Sequence, residues 1–138
     1  KTGLATDPIW ERLSGALAAA PCLTIAALNG TAAGGALGMV FAADLRVATP
    51  KVNVFYPVMK LGFLPQPSDP QRLAALVGPA RAKLILMGGA KLSATEAQAV
   101  GLIDRIADDP LDEAKSLADD TLAADRTHVA AIKAMLRN

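Results

Sequence analysis

Residues 21–49 read PCLTIAALNGTAAGGALGMVFAADLRVAT. The run CLTIAAL lacks any polar alternation, the pattern of a short buried strand, and the turn pair Asn29-Gly30 stops it. Between Asn29 and Gly38 stand four glycines and three alanines, so the segment offers almost no side-chain chemistry. A helix is expected from about Gly34 to Ala43, after which DLRVAT resumes as a strand. The order strand, glycine turn, helix, strand is βαβ-like and points to an α/β fold.

Three readings of the glycine turn follow from its composition. Glycine lets a backbone approach closely, so the turn can be a packing device. A nucleotide cradle fails on spacing, because Gly30, Gly34, Gly35 and Gly38 form neither G-x-G-x-x-G nor G-x-x-x-x-G-K-[ST]. An anion site made of free N–H groups at a helix N-terminus is the third, and it is compatible with the first. On physics alone, packing is favoured.

Outward from this segment, TDPIWERLSGALAAA predicts a helix with Asp7 as cap, Pro8 in the first turn and Ile9, Leu13 and Leu17 four residues apart. VNVFY predicts a strand closed by Pro57, and GFLPQPSDPQ, with three prolines, a loop. PQRLAALVG is a helix stopped at Gly78, and Pro79 opens another. KLSATEAQAVGL carries a capping box, Ser93 with Glu96. LIDRIAD reads as a short strand. From Pro110 onward the chain reads as helix in two segments broken near Asp125.

Composition excludes several function classes. A net charge of +1 with scattered Lys and Arg gives no electrostatic case for nucleic acid or an anionic membrane. The apolar run Ala36 to Ala43 is far short of the roughly 18 residues of a membrane helix, and no basic stretch precedes an apolar one as in a secretory leader. A cytoplasmic setting is expected. Cys22 is the single cysteine, so no intrachain disulfide is possible, and it reads as a buried structural thiol. His128 is the single histidine, which rules out a two-histidine metal site; no metal or redox cofactor is expected.

The segment PCLTIAALNGTAAGGALGMVFAADLRVAT resembles the central pattern of the enoyl-CoA hydratase/isomerase (crotonase) superfamily: a P-x-[IV]-A-A-[VI]-N-G strand, a G-x-A-x-G-G-G turn, a helix and an aspartate-led strand. The similarity continues through VNVFYPVMKLGFLPQPSDPQRLAALVG and on to AQAVGLIDRI, so it covers about 21–106. The resemblance implies an α/β crotonase-like (ClpP/crotonase) fold, a spiral of ββα units. It implies a crotonase-like core at 1–109, whose N-terminal part is expected to be missing, and a C-terminal helical oligomerisation region at 110–138. Acyl-CoA thioesters are the implied substrates and a homotrimer or hexamer the implied assembly.

By the same resemblance, the backbone N–H of Gly35 is the donor to an enolate-like oxyanion. The acyl group is expected against Ala33, Gly34, Gly38, Tyr56, Pro57, Val58, Leu61 and Gln66. The chain departs from the pattern where it matters for proton transfer. The two positions that carry glutamate in hydratases are Gly38 and Val58 here, and neither side chain transfers a proton. In related aromatic acyl-CoA dehalogenases an aspartate nucleophile occupies the position of Gln66, which cannot form the ester.

Of the polar residues near this region, Asp69 can serve as a base but reads first as turn chemistry in Ser-Asp-Pro. Tyr56 reads equally as a donor to a thioester or as packing. Lys60 reads as a surface lysine, Asp44 as a partner for local N–H groups, and Arg72 as structural. Two functions remain open. One is an acyl-CoA hydratase/isomerase-type enzyme of fatty acid metabolism, lyase or isomerase, whose acid/base lies upstream or in QPSDPQ. The other is a non-catalytic acyl-CoA-binding paralogue.

Overall fold

The computed structural model describes residues 6–137; the first five residues of the 1–109 region and Asn138 lie outside them. Helix α1 (Ile9–Ala19) leads to β1 (Ile25–Leu28), β2 (Ala32–Ala33), a 3-10 turn (Gly34–Ala36), α2 (Leu37–Ala42), β3 (Leu45–Ala48) and β4 (Asn53–Phe55). Then come α3 (Val58–Leu61), α4 (Asp69–Val77), α5 (Pro79–Leu86), β5 (Leu92–Ser93), α6 (Ala94–Ala99) and β6 (Arg105–Ile106). Three helices close the chain: α7 (Pro110–Leu117), α8 (Asp119–Ala123) and α9 (Arg126–Met135).

Two small sheets share the core. In one, β1, β3 and β6 run parallel, with Ile25 opposite Leu45 and Val47 opposite Arg105. In the other, β4 lies between parallel β2 and antiparallel β5. The βαβ reading of 21–49 therefore holds, with α2 as the crossover that parallel strands require. Leu37, Val47, Val54, Leu73, Ile85, Leu102 and Ile103 are fully buried between these sheets and the helices. Each such side chain contributes about 1.5–3 kcal/mol of apolar burial.

Local chemistry sets most element ends. Ser93 Oγ accepts from the Glu96 N–H at 3.2 Å while Glu96 Oε1 accepts from the Ser93 N–H at 2.9 Å, the reciprocal box expected at α6. Gly78, at φ 91°, ends α4 in a conformation that side chains rarely adopt. Asp7 Oδ1 accepts from the Ile9 N–H at 2.9 Å, so it serves the start of α1 as expected. The last region breaks twice, at Ala118 as well as at Asp125.

Three expectations need correction. Cys22 is exposed, because it lies in the bend before β1 and takes no part in the sheet. Ile9 and Leu13 are also exposed, and Ser14 is the fully buried residue of α1. The helix turns its serine inward because Ser14 Oγ accepts from Arg72 Nη1 at 3.0 Å. Glu11 adds a second clasp, accepting from the Ser68 N–H at 3.1 Å and from the Ser68 hydroxyl. These polar contacts seat α1 against the start of α4.

At the far end of the sheet, Asp44 and Thr24 grip each other. Thr24 N–H donates to Asp44 Oδ2 and Asp44 N–H to Thr24 Oγ1, both at 2.9 Å. Asp44 thus satisfies one backbone N–H, but that of Thr24, 20 residues away, rather than the local groups expected, because β1 and β3 pair there; Lys133 of α9 adds an ion pair at 2.8 Å. Among the described residues no helix is long and apolar enough to cross a membrane.

Candidate functional site

The glycine turn borders a cavity of about 260 Å³. Gly34 enters it at φ 66°, left-handed backbone that suits glycine, and so turns the chain from β2 into the 3-10 turn. Gly35 follows at the start of that turn, where N–H groups have no intrahelical partner. The indole of Trp10 lies alongside: a Cβ built on Gly35 would sit 3.6 Å from Trp10 Cε2. Gly35 thus presents backbone rather than side chain, under an aromatic wall supplied by α1.

Seven of the nine expected site residues line this cavity: Gly34, Gly35, Tyr56, Pro57, Val58, Leu61 and Gln66. They converge because β2 pairs with β4, placing Ala33 opposite Phe55 and bringing the segment after β4 beside the glycine turn. Two of the nine lie elsewhere. Ala33, in extended backbone before the left-handed turn, lines a separate groove of about 540 Å³ along β1. Gly38 is buried in the first turn of α2, covered by the carboxyl of Asp69. Trp10, Phe63 and Leu64 complete the cavity wall and were not foreseen. Trp10 lies 24 residues before Gly34, and only the seating of α1 brings the two together.

Among the described residues no lining side chain is charged. The polar chemistry begins at Tyr56 in the wall and continues to Asp69 one layer behind it. Tyr56 is 4% exposed, its ring tilted against Phe41 with centroids 6.3 Å apart. Its hydroxyl donates to Asp69 Oδ2 at 2.7 Å and accepts from the Gln66 N–H at 3.4 Å. Asp69 has no solvent exposure, and its Oδ1 makes no hydrogen bond. Although Asp69 opens α4, its side chain caps nothing there; it turns inward, so its turn-residue reading is corrected.

The space that admits this carboxyl is the missing side chain of Gly38. A Cβ there would lie 2.8 Å from Asp69 Oδ1 and 3.2 Å from Oδ2. Burial raises the Asp69 pKa; the Tyr56 hydroxyl opposes this, Glu11 adds to it and Arg72 opposes it. Burial and the neighbouring carboxylate likewise hold the Tyr56 phenol far above its ordinary range. The Ser68 hydroxyl holds the Glu11 carboxyl low. Lys60 is exposed, as expected.

A second buried polar group escaped the sequence reading. Arg46, 2% exposed, donates from Nε to Leu102 O at 2.8 Å and from Nη1 to Ala43 O at 2.6 Å and Val40 O at 3.2 Å. Asp104 Oδ2 lies 3.6 Å from Nη2 and accepts from the Arg46 N–H at 2.8 Å. It ties α2, β3 and the approach to β6 together, away from the cavity. His128 also lies elsewhere, on a groove of about 620 Å³ beside Asp44 and Lys133.

Residues 5–138 match the family model described as enoyl-CoA hydratase/isomerase. The chain is 38% identical over 137 residues to the "Probable enoyl-CoA hydratase echA14" of Mycobacterium tuberculosis, covering 95% of this chain and 54% of that protein. It is 40% identical over 88 residues to the enoyl-CoA isomerase/hydratase fer4 of Mycosarcoma maydis, covering 63% of this chain and 32% of that one. The solved enoyl-CoA hydratase of Bacillus anthracis superposes with a TM-score of 0.86 at 27% identity, over 91% of this chain and 49% of that one. The chain spans about half the length of the mycobacterial and Bacillus proteins it matches.

Proposed function

The chain belongs to the enoyl-CoA hydratase/isomerase family and has its crotonase-like α/β fold, and from that premise we propose that it binds an acyl-CoA thioester at the Gly35 cavity. The thioester carbonyl accepts from the backbone N–H of Gly35, and the same N–H stabilises the oxygen when charge develops on it. A preorganised donor of this kind contributes about 3–4 kcal/mol to such a transition state. The carrying observation is the cavity itself, where an uncharged wall of Trp10, Val58, Leu61 and Phe63 meets backbone at Gly34 and Gly35. An acyl chain is apolar, and a thioester carbonyl needs only donors, so the lining suits both ends of the group.

The reaction class is isomerase or lyase, acting on an enoyl-CoA. A second reading, a non-catalytic acyl-CoA-binding paralogue, is favoured by the absence of acidic side chains at Gly38 and Val58. Self-association through 110–138 belongs to the proposal; it is supported by Leu122, Met135 and Leu136, each more than three-quarters exposed. No added cofactor is required beyond the CoA ester.

Titration calorimetry with butyryl-CoA tests binding, and assays with crotonyl-CoA and a 3-enoyl-CoA test turnover. Saturable binding with turnover supports the enzyme, whereas binding without turnover of either ester favours the paralogue. Failure to bind any CoA ester overturns the proposal. Gly35→Pro removes the donor N–H and is expected to lower turnover by roughly 100-fold or more; wild-type turnover in a folded Gly35→Pro protein would remove Gly35 from the mechanism.

A further inference from the structure

A carboxyl with no solvent exposure and one unpartnered oxygen is costly to keep ionised in a folded chain, and such groups need an explanation. Among the described residues Asp69 has one strong partner, the Tyr56 hydroxyl, and Tyr56 in turn lines the cavity together with Gly35. Phe41 and the Gln66 N–H hold the phenol in place. A single hydrogen bond of 2.7 Å therefore connects a buried proton acceptor to a residue of the cavity wall. Gly38 leaves the room in which that acceptor sits.

We propose that Tyr56 and Asp69 are the proton-transfer pair of this cavity, Tyr56 as the catalytic contact and Asp69 as the positioning residue that receives the relayed proton. The inference rests on the acyl-CoA reading given above. The α-carbon proton of the bound thioester passes to the Tyr56 oxygen while the phenol's own proton passes to Asp69 Oδ2. The C–H electron pair becomes the enolate, with its charge on the thioester oxygen at Gly35, and Asp69 becomes a neutral acid. Reversal returns the proton to the α-carbon or, along a conjugated dienolate, to the γ-carbon, which moves a double bond. Protons and charge balance without a further reactant.

The surroundings favour this direction of transfer. Burial raises the carboxyl's affinity for a proton, and so does the Glu11 charge on α1; the Tyr56 hydroxyl and Arg72 on α4 work against both. A carboxylate with a raised pKa is the stronger base, and Tyr56 stays a neutral phenol able to pass a proton on.

Butyryl-CoA in deuterated water isolates the step, because it has no double bond to hydrate. Deuterium entering the α-carbon is read by mass spectrometry and binding by calorimetry. The wild-type protein should exchange the α-proton, and the rate should rise with pH as Asp69 ionises, then level off. Tyr56→Phe and Asp69→Asn, both nearly isosteric, should lose roughly 100-fold or more in exchange per bound butyryl-CoA, the bound fraction being read by calorimetry for each variant. The exchange left in Asp69→Asn should lack the pH-dependent rise. Binding without exchange in the wild type, a flat wild-type profile, or wild-type exchange in either variant overturns the pair but leaves acyl-CoA binding standing. No binding by the wild type overturns both. The wild-type profile needs no substitution, so it can overturn the pair even if a variant does not fold.

Discussion

Arg46 and Asp69 are both ionisable side chains buried almost completely, and they are treated in opposite ways. The Arg46 guanidinium finds carbonyls at Val40, Ala43 and Leu102 and a carboxylate at Asp104. Asp69 finds one phenol and keeps an oxygen without a partner. A fully partnered buried charge locks elements together and has nothing left to offer a ligand. An underpartnered one retains capacity to take up a proton, and it lies next to the cavity. The contrast separates scaffold from chemistry within one small core.

Breaking the scaffold side should give the largest effect on stability. Arg46→Met leaves Asp104 without its cation and several carbonyls without donors, and should lower unfolding free energy by about 3–5 kcal/mol in urea titrations. A loss below about 1 kcal/mol would mean that water replaces the guanidinium readily, and the contrast would fail. Gly38→Ala acts on the other side. Its Cβ would meet Asp69 Oδ1 at 2.8 Å, so the carboxyl must shift from its place beside Tyr56. The expected cost is about 1–3 kcal/mol, with a parallel drop in α-proton exchange; a neutral Gly38→Ala would show that the carboxyl has room to spare.

The smallest effect is a trend with pH. The Asp69 pKa is raised on folding, so its contribution to stability is fully present below the ordinary carboxylate value and is lost as pH rises through the folded value. Asp69→Asn carries no such titration. Urea titrations from pH 3.5 upward (on the order of the aspartate model value) should therefore show Asp69→Asn gaining on the wild type as pH rises, then holding constant. A stability gap that is flat or narrows in the opposite sense contradicts the raised pKa.

Much of the cavity lining at the candidate site was legible from residue order. Tyr56, Pro57, Val58, Leu61 and Gln66 stand close together in sequence and line one cavity with Gly34 and Gly35. What was not legible depends on contacts across long stretches of chain. Ser-Asp-Pro reads as a turn, and Asp69 does open a helix, but the carboxyl's inward direction depends on a glycine 31 residues earlier. Trp10 lies off the Ile9, Leu13 and Leu17 stripe, and α1 is seated by Glu11 and Ser14 on Ser68 and Arg72. Arg46 lies in an ordinary strand pattern, and its partners come from α2 and from residues near β6. Cys22 was read as buried from its residue type, and its bend before β1 left it outside.

By itself, the sequence determined the βαβ unit at 21–49, most helix starts and stops though not α3 or the break at Ala118, and the family pattern that runs through them. These rest on interactions within a few residues: apolar period, capping side chains, and glycine's access to positive φ. Only the tertiary structure decided which buried polar groups are satisfied. That depends on what lies across the core, and there a missing Cβ at Gly38 and a carboxyl from α4 occupy adjoining space. Local sequence carries no record of such a distance. Packing does, because a dense interior leaves each side chain one place to go.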